Sequence, residues 1–132
     1  MSGSHTVAAI DCGTNSIRLL IASADSDGRL VEQARELEMV RLGQGVDATG
    51  SFRPDALERT FSACRTFAQA IADHHCVRVR FVATSAARDV SNRDAFFAGV
   101  RQALGVDAEV IDGMEEASLS FAGAISGIQV ID

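Results

Sequence analysis

A tight turn between two apolar segments carries residue types that could bind a phosphate group. The turn spans residues 11–16 and reads Asp-Cys-Gly-Thr-Asn-Ser. Glycine lets the backbone approach a ligand closely, so that neighbouring N–H groups and hydroxyls can surround an anion. Asp11 ends the first apolar segment and could hold a hydrated cation. Asp-x-Gly-Thr also forms ordinary hairpins, but Asn15, Ser16 and Arg18 follow it directly and favour a phosphate-binding turn.

A second polar segment follows an apolar run in the middle of the chain. Thr84 and Ser85 end this run, and Arg88 lies three residues further on. Backbone N–H groups and a guanidinium could meet an oxyanion at such a strand-to-helix turn. Taken alone, Arg88 is better explained as a surface arginine paired with Asp89 or Asp94.

A third segment opens the last predicted helix with a cluster of acidic residues. Asp112 and Glu115 have the spacing of a capping box, which gives Glu115 a structural explanation. Glu116 lies one position further round the helix, where a structural role is limited to complementing the helix dipole. Glu116 is therefore the better candidate for a general base that takes a proton from water.

Composition excludes several classes of function. A chain of 132 residues that is 47% hydrophobic and has one proline is typical of a single compact domain. The net charge of −6 argues against nonspecific binding to nucleic acid. All basic side chains other than histidine are arginine, which excludes a Walker-type lysine and a Schiff-base lysine. The three cysteines lack metal-ligand spacing, so we expect reduced thiols. Since no apolar run has the length of a membrane span either, we expect a cytoplasmic protein.

The elements predicted around these segments form a mixed α/β sheet. Alternating helices and strands in the second half imply parallel pairing through right-handed crossovers, after an antiparallel meander of three strands. Asp11, Ser85 and Glu116 then lie just past the carboxyl ends of strands, where ligands collect in such sheets. The predicted strands are residues 6–12, 16–24, 30–42, 77–83, 107–111 and 128–132, and the predicted helices begin at Pro54, run from about 92 to 104 and run from 114 to about 125.

Other features of the chain have structural explanations. The glycine-rich stretch 43–50 favours a flexible connector. Cys64 lies on the apolar face of the helix that begins at Pro54, so a core position is expected. Residues 74–76 read His-His-Cys and close this helix. A metal site is not expected here, because three contiguous side chains on a helix diverge too far to bind one metal ion.

Four segments in this order resemble the exopolyphosphatase and guanosine-pentaphosphate phosphohydrolase family. They are residues 10–19, 42–45 with Gly50, 83–89 with Asn92, and 113–117, and together they span nearly the whole chain. The resemblance implies an α/β fold of the actin-like ATPase (ribonuclease H-like) type, related to sugar kinases and heat-shock protein 70. This fold has a mixed five-stranded sheet with a three-strand antiparallel meander and helices on both faces.

The resemblance also implies a role for each matching residue. Asp11 would organise Mg²⁺ or the attacking water, and Asp132 would be a second metal ligand at the start of another phosphate loop. Arg88 would neutralise the phosphoryl group in the transition state, and Glu116 would be the base for the nucleophilic water. Phosphoryl transfer needs mainly positioning and charge neutralisation, which these residue types supply. The implied phosphate-binding residues are Gly13, Thr14, Asn15, Ser16, Arg18 and Ser85.

The implied activity is release of terminal phosphate from inorganic polyphosphate or from guanosine pentaphosphate, as in the stringent response. Members of the family continue into a second actin-like domain, which would start near residue 130 here. We therefore expect residues 1–132 to be the first of two domains and to hydrolyse little alone. A cleft face that lacks its second domain would also favour self-association into a homodimer.

Two other functions fit the same residues. A kinase or ATPase of the same fold would bind ATP in this cleft and transfer phosphate to a small acceptor. A catalytically silent regulatory or interaction domain would retain the fold without the chemistry. Ser118 stands where many relatives carry arginine, which keeps this last interpretation open.

Overall fold

The computed structural model describes residues 6–27, 29–84 and 86–111 of the chain. These residues form five strands and four helices, and after the third strand two helices precede each further strand. The elements are β1 (Thr6–Cys12), β2 (Ser16–Ala24), β3 (Leu30–Met39), α1 (Val46–Thr49), α2 (Pro54–Asp73), β4 (Arg78–Thr84), α3 (Ala86–Asp89), α4 (Arg93–Leu104) and β5 (Ala108–Ile111).

The five strands form one mixed sheet in the order β3-β2-β1-β4-β5. β2 pairs antiparallel with β1 and with β3, whereas β4 pairs parallel with β1 and with β5. The predicted meander and the predicted parallel half of the sheet are therefore confirmed. Because β1 and β4 are parallel neighbours, the segments that follow Cys12 and Thr84 leave the sheet at the same edge.

The main core lies between the sheet and the two long helices. Ile10 of β1 and Phe81 of β4 are fully buried in one cluster with Phe67 of α2 and Phe96 of α4. The Phe81 and Phe96 rings meet edge to face with centroids 6.2 Å apart, a favourable geometry for aromatic side chains. Cys64 is fully buried in the same cluster, which confirms its predicted core position.

A smaller cluster occupies the other face of the sheet. It contains Val7, Ala9, Leu20 and Ala22, with Leu30 packed against it. All four described helices contribute residues to the main core, and none contributes to this smaller cluster. The predicted helix at 114–125 and the predicted strand at 128–132 lie outside the described residues.

The strand predicted over residues 30–42 ends at Met39. The next two residues leave the ladder because the Val40 and Arg41 N–H groups both donate to the Asn15 carbonyl, at 3.0 Å and 2.9 Å. A contact with the first hairpin thus competes with strand pairing. Local alternation of polar and apolar residues carries no sign of this contact.

The glycine-rich stretch 43–50 contains the one-turn helix α1, so the prediction of a flexible connector was wrong. Gly45 and Gly50 flank this turn with φ values of 77° and 72°, a left-handed conformation that glycine adopts without strain. The Gly50 N–H donates to the Val46 carbonyl at 2.7 Å. The glycines therefore start and stop a helical turn.

The ends of both long helices agree with the sequence signals. Pro54 is the first residue of α2, and Gly105 follows α4 with its N–H 2.8 Å from the Arg101 carbonyl. Asn92 precedes α4, and its side chain bonds both backbone groups of Phe52, each at 2.9 Å. Among the described residues, no helix has the length and hydrophobicity needed to cross a membrane.

Candidate functional site

A cavity of about 430 Å³ lies at the sheet edge where β1 and β4 end. Its walls come from the hairpin turn, from the loop after β3 and from the end of β4 with α3. Three of the four segments that the sequence singled out therefore meet at one place. The polar lining residues include Gly13, Thr14, Asn15, Arg41, Gln44 and Thr84.

The hairpin turn is held from within and from the neighbouring loop. The Gly13 N–H donates to the Ser16 carbonyl at 2.9 Å, and the Thr14 carbonyl accepts from the Gly43 N–H at 2.8 Å. Thr14 and Asn15 are exposed, and their N–H groups have no acceptor among the residues that the structure describes. Both residues line the cavity, and binding of a phosphate by their N–H groups stays a prediction.

Asp11 and Arg18 lie on the sheet face opposite to that of Cys12, a residue of the cavity wall. The two residues are cross-strand neighbours at the end of the β1–β2 hairpin. Burial raises the pKa of the half-buried Asp11 carboxyl above its ordinary value of 3.8, and the Arg18 guanidinium lowers it to a smaller extent. The structure thus places both residues beside the turn, although outside the cavity wall itself.

A single carboxylate such as that of Asp11 is typical of Mg²⁺ sites, which are seldom built from protein ligands alone. Mg²⁺ keeps several waters and is usually bound through one or two carboxylates plus phosphate oxygens. The half-buried Asp11 carboxylate beside the hairpin turn is compatible with this mode of binding, and its role as a Mg²⁺ ligand stays a prediction. Within residues 6–27, 29–84 and 86–111, no three potential metal ligands cluster. Asp132, the second expected ligand, lies outside these ranges.

Arg88 lies on α3, directly after the strand that ends at the cavity. Its side chain is exposed, and its carbonyl accepts a hydrogen bond of 2.9 Å from the Arg93 guanidinium. Neither Asp89 nor Asp94 forms an ion pair with Arg88, so the surface-pair explanation of this arginine was wrong. Ser85 and Glu116 lie outside the described residues, and their roles stay predictions.

Cys12 reaches the cavity wall but does not offer a nucleophile. Its side chain is fully buried, and burial raises the pKa of its thiol far above the ordinary range. A thiol attacks phosphorus or carbon only as the thiolate. At neutral pH this group therefore remains a neutral thiol.

Sequence reasoning missed the charged and amide side chains that the loop after β3 brings to the cavity wall, which are those of Arg41, Gln44 and Asp47. All three follow β3, in or next to the glycine-rich stretch that was expected to be a connector. The segment at residues 42–45 was one of the four that carry the family resemblance, and it was the one signal that could have pointed to them.

Comparisons with known proteins agree with this geometry. The sequence profile of the Ppx/GppA phosphatase family matches residues 20–131. Exopolyphosphatase 2 of Mycobacterium tuberculosis (strain CDC 1551 / Oshkosh) is 58% identical over 127 residues, which are 90% of this chain and 40% of that protein. The chain thus spans less than half the length of this curated relative.

Solved structures show the same relationship. The crystal structure of an exopolyphosphatase-like protein has a TM-score of 0.81 at 55% identity, over 89% of this chain and 36% of that one. The Ppx/GppA family member of Aquifex aeolicus has a TM-score of 0.80 at 33% identity, over 86% of this chain and 37% of that one. The fold is the actin-like α/β fold of these proteins, and the chain belongs to the Ppx/GppA phosphatase family.

Proposed function

We propose that this chain provides the phosphate-binding half of a phosphohydrolase that releases terminal phosphate from inorganic polyphosphate or guanosine pentaphosphate. The observation that carries the proposal is the cavity in which the Gly13–Asn15 turn meets the loop after β3 and Thr84. The Thr14 and Asn15 N–H groups, which have no acceptor within residues 6–27, 29–84 and 86–111, suit an oxyanion. Relatives named exopolyphosphatase that share this fold support the same substrate class.

In the proposed reaction a water oxygen attacks the terminal phosphorus, and the bond from phosphorus to the bridging oxygen breaks. Glu116 takes the proton of the attacking water, as a general base does. Thr14 and Asn15 N–H groups hold the terminal phosphoryl oxygens, and Arg88 offsets the charge that develops on them. Mg²⁺, held by Asp11 and Asp132, would supply further charge neutralisation when bound.

The same proposal includes a requirement for a second domain. The relatives are longer, since the chain spans 40% of the mycobacterial protein, and the cavity wall described here comes from one domain. Phosphoryl transfer depends on neutralising charge around the whole phosphoryl group. We therefore expect this chain alone to release phosphate far more slowly than a form extended by the second domain.

The proposal is tested with a form of the protein that also contains the second domain. Phosphate release from polyphosphate, guanosine pentaphosphate and ATP is measured. Glu116→Gln should lower the rate by about 10²- to 10⁴-fold. Glu115→Gln is the matched control, because the adjacent glutamate has only the predicted capping role and should change the rate little. Unchanged hydrolysis in Glu116→Gln would show that the base is assigned wrongly. Transfer from ATP to an acceptor without phosphate release would favour the kinase interpretation.

A further inference from the structure

The loop that follows β3 and the phosphate-binding turn form one hydrogen-bonded unit. The Asn15 carbonyl accepts from the N–H groups of Val40 and Arg41, at 3.0 Å and 2.9 Å. The Thr14 carbonyl accepts from the Gly43 N–H at 2.8 Å. Three backbone hydrogen bonds therefore fix this loop relative to Thr14 and Asn15, two residues of the cavity wall.

Arg59 of α2 also donates hydrogen bonds to this loop. Its Nε donates to the Val40 carbonyl at 2.8 Å, and its Nη2 donates to Gln44 Oε1 at 2.8 Å. Asp55, one turn earlier, forms an ion pair of 3.4 Å with Arg59. Because Gln44 Oε1 accepts from Arg59, the Gln44 amide NH₂ is left as a donor, and Gln44 lines the cavity.

Arg41 has an unusual backbone for a long side chain. Within the described residues, Arg41 and His75 are the non-glycine residues with positive φ, at 50° and 55°. His75 follows the end of α2, where a left-handed residue is common. Arg41 ends no helix, and a left-handed conformation costs roughly 1–2 kcal/mol for a residue with a Cβ atom. Such strain is typically found at binding sites.

Arg41 also brings a positive charge to the cavity. Its side chain is exposed, lines the cavity and forms no ion pair with a described residue, including the cavity residue Asp47. The cavity volume of about 430 Å³ falls in the range of small-molecule sites and exceeds what a single phosphate requires. A guanidinium and an amide NH₂ next to the turn both suit phosphate oxygens.

We propose that Arg41 and Gln44 form a second phosphate subsite, which binds a phosphoryl group of the substrate other than the one released, and that Arg59 is the positioning residue of this subsite. The proposal rests on the proposed function above and deepens it. It predicts that the chain prefers anions with two or more linked phosphates over a single phosphate.

Calorimetric binding of orthophosphate and tripolyphosphate to the 132-residue chain tests the subsite. Arg41→Asn removes the charge, and asparagine tolerates the left-handed backbone. Tripolyphosphate affinity should fall at least about tenfold, the effect of losing one charge-assisted contact, whereas orthophosphate affinity should change less than about twofold. Arg29→Asn is the matched control, since it removes the same charge from an exposed turn that lies outside the cavity wall.

Arg59→Lys tests the positioning role through the ratio of the two affinities. Lysine keeps the charge but lacks the fork that reaches Val40 and Gln44 together. If Arg59 positions the subsite, Arg59→Lys should lower the preference for tripolyphosphate about threefold or more. If Arg59 is purely structural, the substitution should lower thermal stability and leave the ratio of the two affinities unchanged. Gln44→Glu, which places a carboxylate beside the phosphate, should lower the same ratio.

Three outcomes would overturn the subsite: no preference of the wild-type chain for tripolyphosphate, equal losses for both anions in Arg41→Asn, or a loss of the same size in Arg29→Asn. Failure of the proposed function looks different. In that case the preference for linked phosphates and its loss in Arg41→Asn would remain, while the extended protein would release no phosphate from either proposed substrate.

Discussion

Asp11 and Arg18 are cross-strand neighbours at the open end of the first hairpin, and their charges act on each other across the strands. Burial raises the pKa of the Asp11 carboxyl, and the Arg18 guanidinium partly offsets this rise. The pair lies beside the turn at residues 13–15, on the sheet face opposite to that of Cys12. The structure therefore keeps a half-buried carboxylate at the turn at some cost in stability.

Arg18→Gln should raise the pKa of Asp11 further, because it removes the interaction that lowers it. The folded protein holds this proton more tightly than the unfolded chain does. Stability from this group is therefore full below the ordinary value of 3.8 and is lost as pH rises through the folded pKa. The variant should be less stable than wild type at pH 7 and should approach wild type at pH 3.

An NMR titration of the Asp11 carboxyl carbon and urea unfolding at both pH values check this prediction. Asp11→Asn is the background in which Arg18→Gln should have no pH-dependent effect, because the titrating group is absent. An equal loss of stability in both backgrounds would mean that Arg18 acts by packing.

The hairpin and the sheet could be predicted from sequence because local patterns determine them. The apolar runs on either side of the Asp11–Ser16 turn gave β1 and β2 with the observed bounds. Parallel pairing of β4 followed from the helix that precedes it. These features depend on periodicity and turn chemistry, which neighbouring residues carry.

The loop after β3 could not be predicted, because contacts between distant residues shape it. Arg59 reaches back 19 residues to the Val40 carbonyl, and the Asn15 carbonyl draws two N–H groups out of strand pairing. No local pattern encodes either contact, so Arg41 and Gln44 were missed. Glu116 lies outside the described residues, so its assignment as the base stays a prediction.

Gly43→Ala should weaken phosphate binding without unfolding the domain. A Cβ atom at this position would lie 3.2 Å from Thr14 Cβ and 3.5 Å from the Thr14 carbonyl oxygen, so the turn must shift slightly. Small displacements of binding groups have large effects on function, and we expect orthophosphate affinity to fall about threefold to tenfold. The free energy of unfolding should change by less than about 1 kcal/mol.

Gly50→Ala is the control for Gly43→Ala, because it adds the same methyl group to the same loop without a contact to Thr14. A Cβ atom on Gly50 would meet nothing within 4 Å, but its φ of 72° strains any residue with a side chain. This variant should lose about 1 kcal/mol of stability and keep its phosphate affinity. If calorimetry showed the same affinity loss in both variants, the Thr14 contact would not be the cause.

Asn92→Ala should destabilise the fold by about 2 kcal/mol, because it leaves the Phe52 N–H and carbonyl without their side-chain partner. Asn92→Asp keeps the acceptor for the N–H but turns a carboxylate oxygen towards the carbonyl. It should therefore also destabilise the fold at pH 7 and should recover partly at acidic pH, where the protonated carboxyl can donate. Chemical unfolding at pH 7 and pH 4 distinguishes the two variants, and a wild-type midpoint for Asn92→Ala would contradict the prediction.

Gly99→Ala tests the packing of α4 on α2. A Cβ atom here would lie 2.2 Å from Phe61 Cζ and 2.3 Å from Phe61 Cε1, far inside van der Waals contact, so the Phe61 ring must move. Overpacking costs about 1–3 kcal/mol, and the higher helix propensity of alanine offsets up to about 1 kcal/mol of this cost. We expect a net loss of about 1 kcal/mol in urea unfolding.

Phe61→Leu provides the matched background for Gly99→Ala. A leucine side chain is shorter than the ring and no longer reaches the position that the new methyl group occupies. In this background Gly99→Ala should be neutral or stabilising, because only the gain in helix propensity remains. A double-mutant cycle with zero coupling energy would show that the Phe61 ring already yields to the methyl group, and that the close approach of the two helices at Gly99 depends on other contacts.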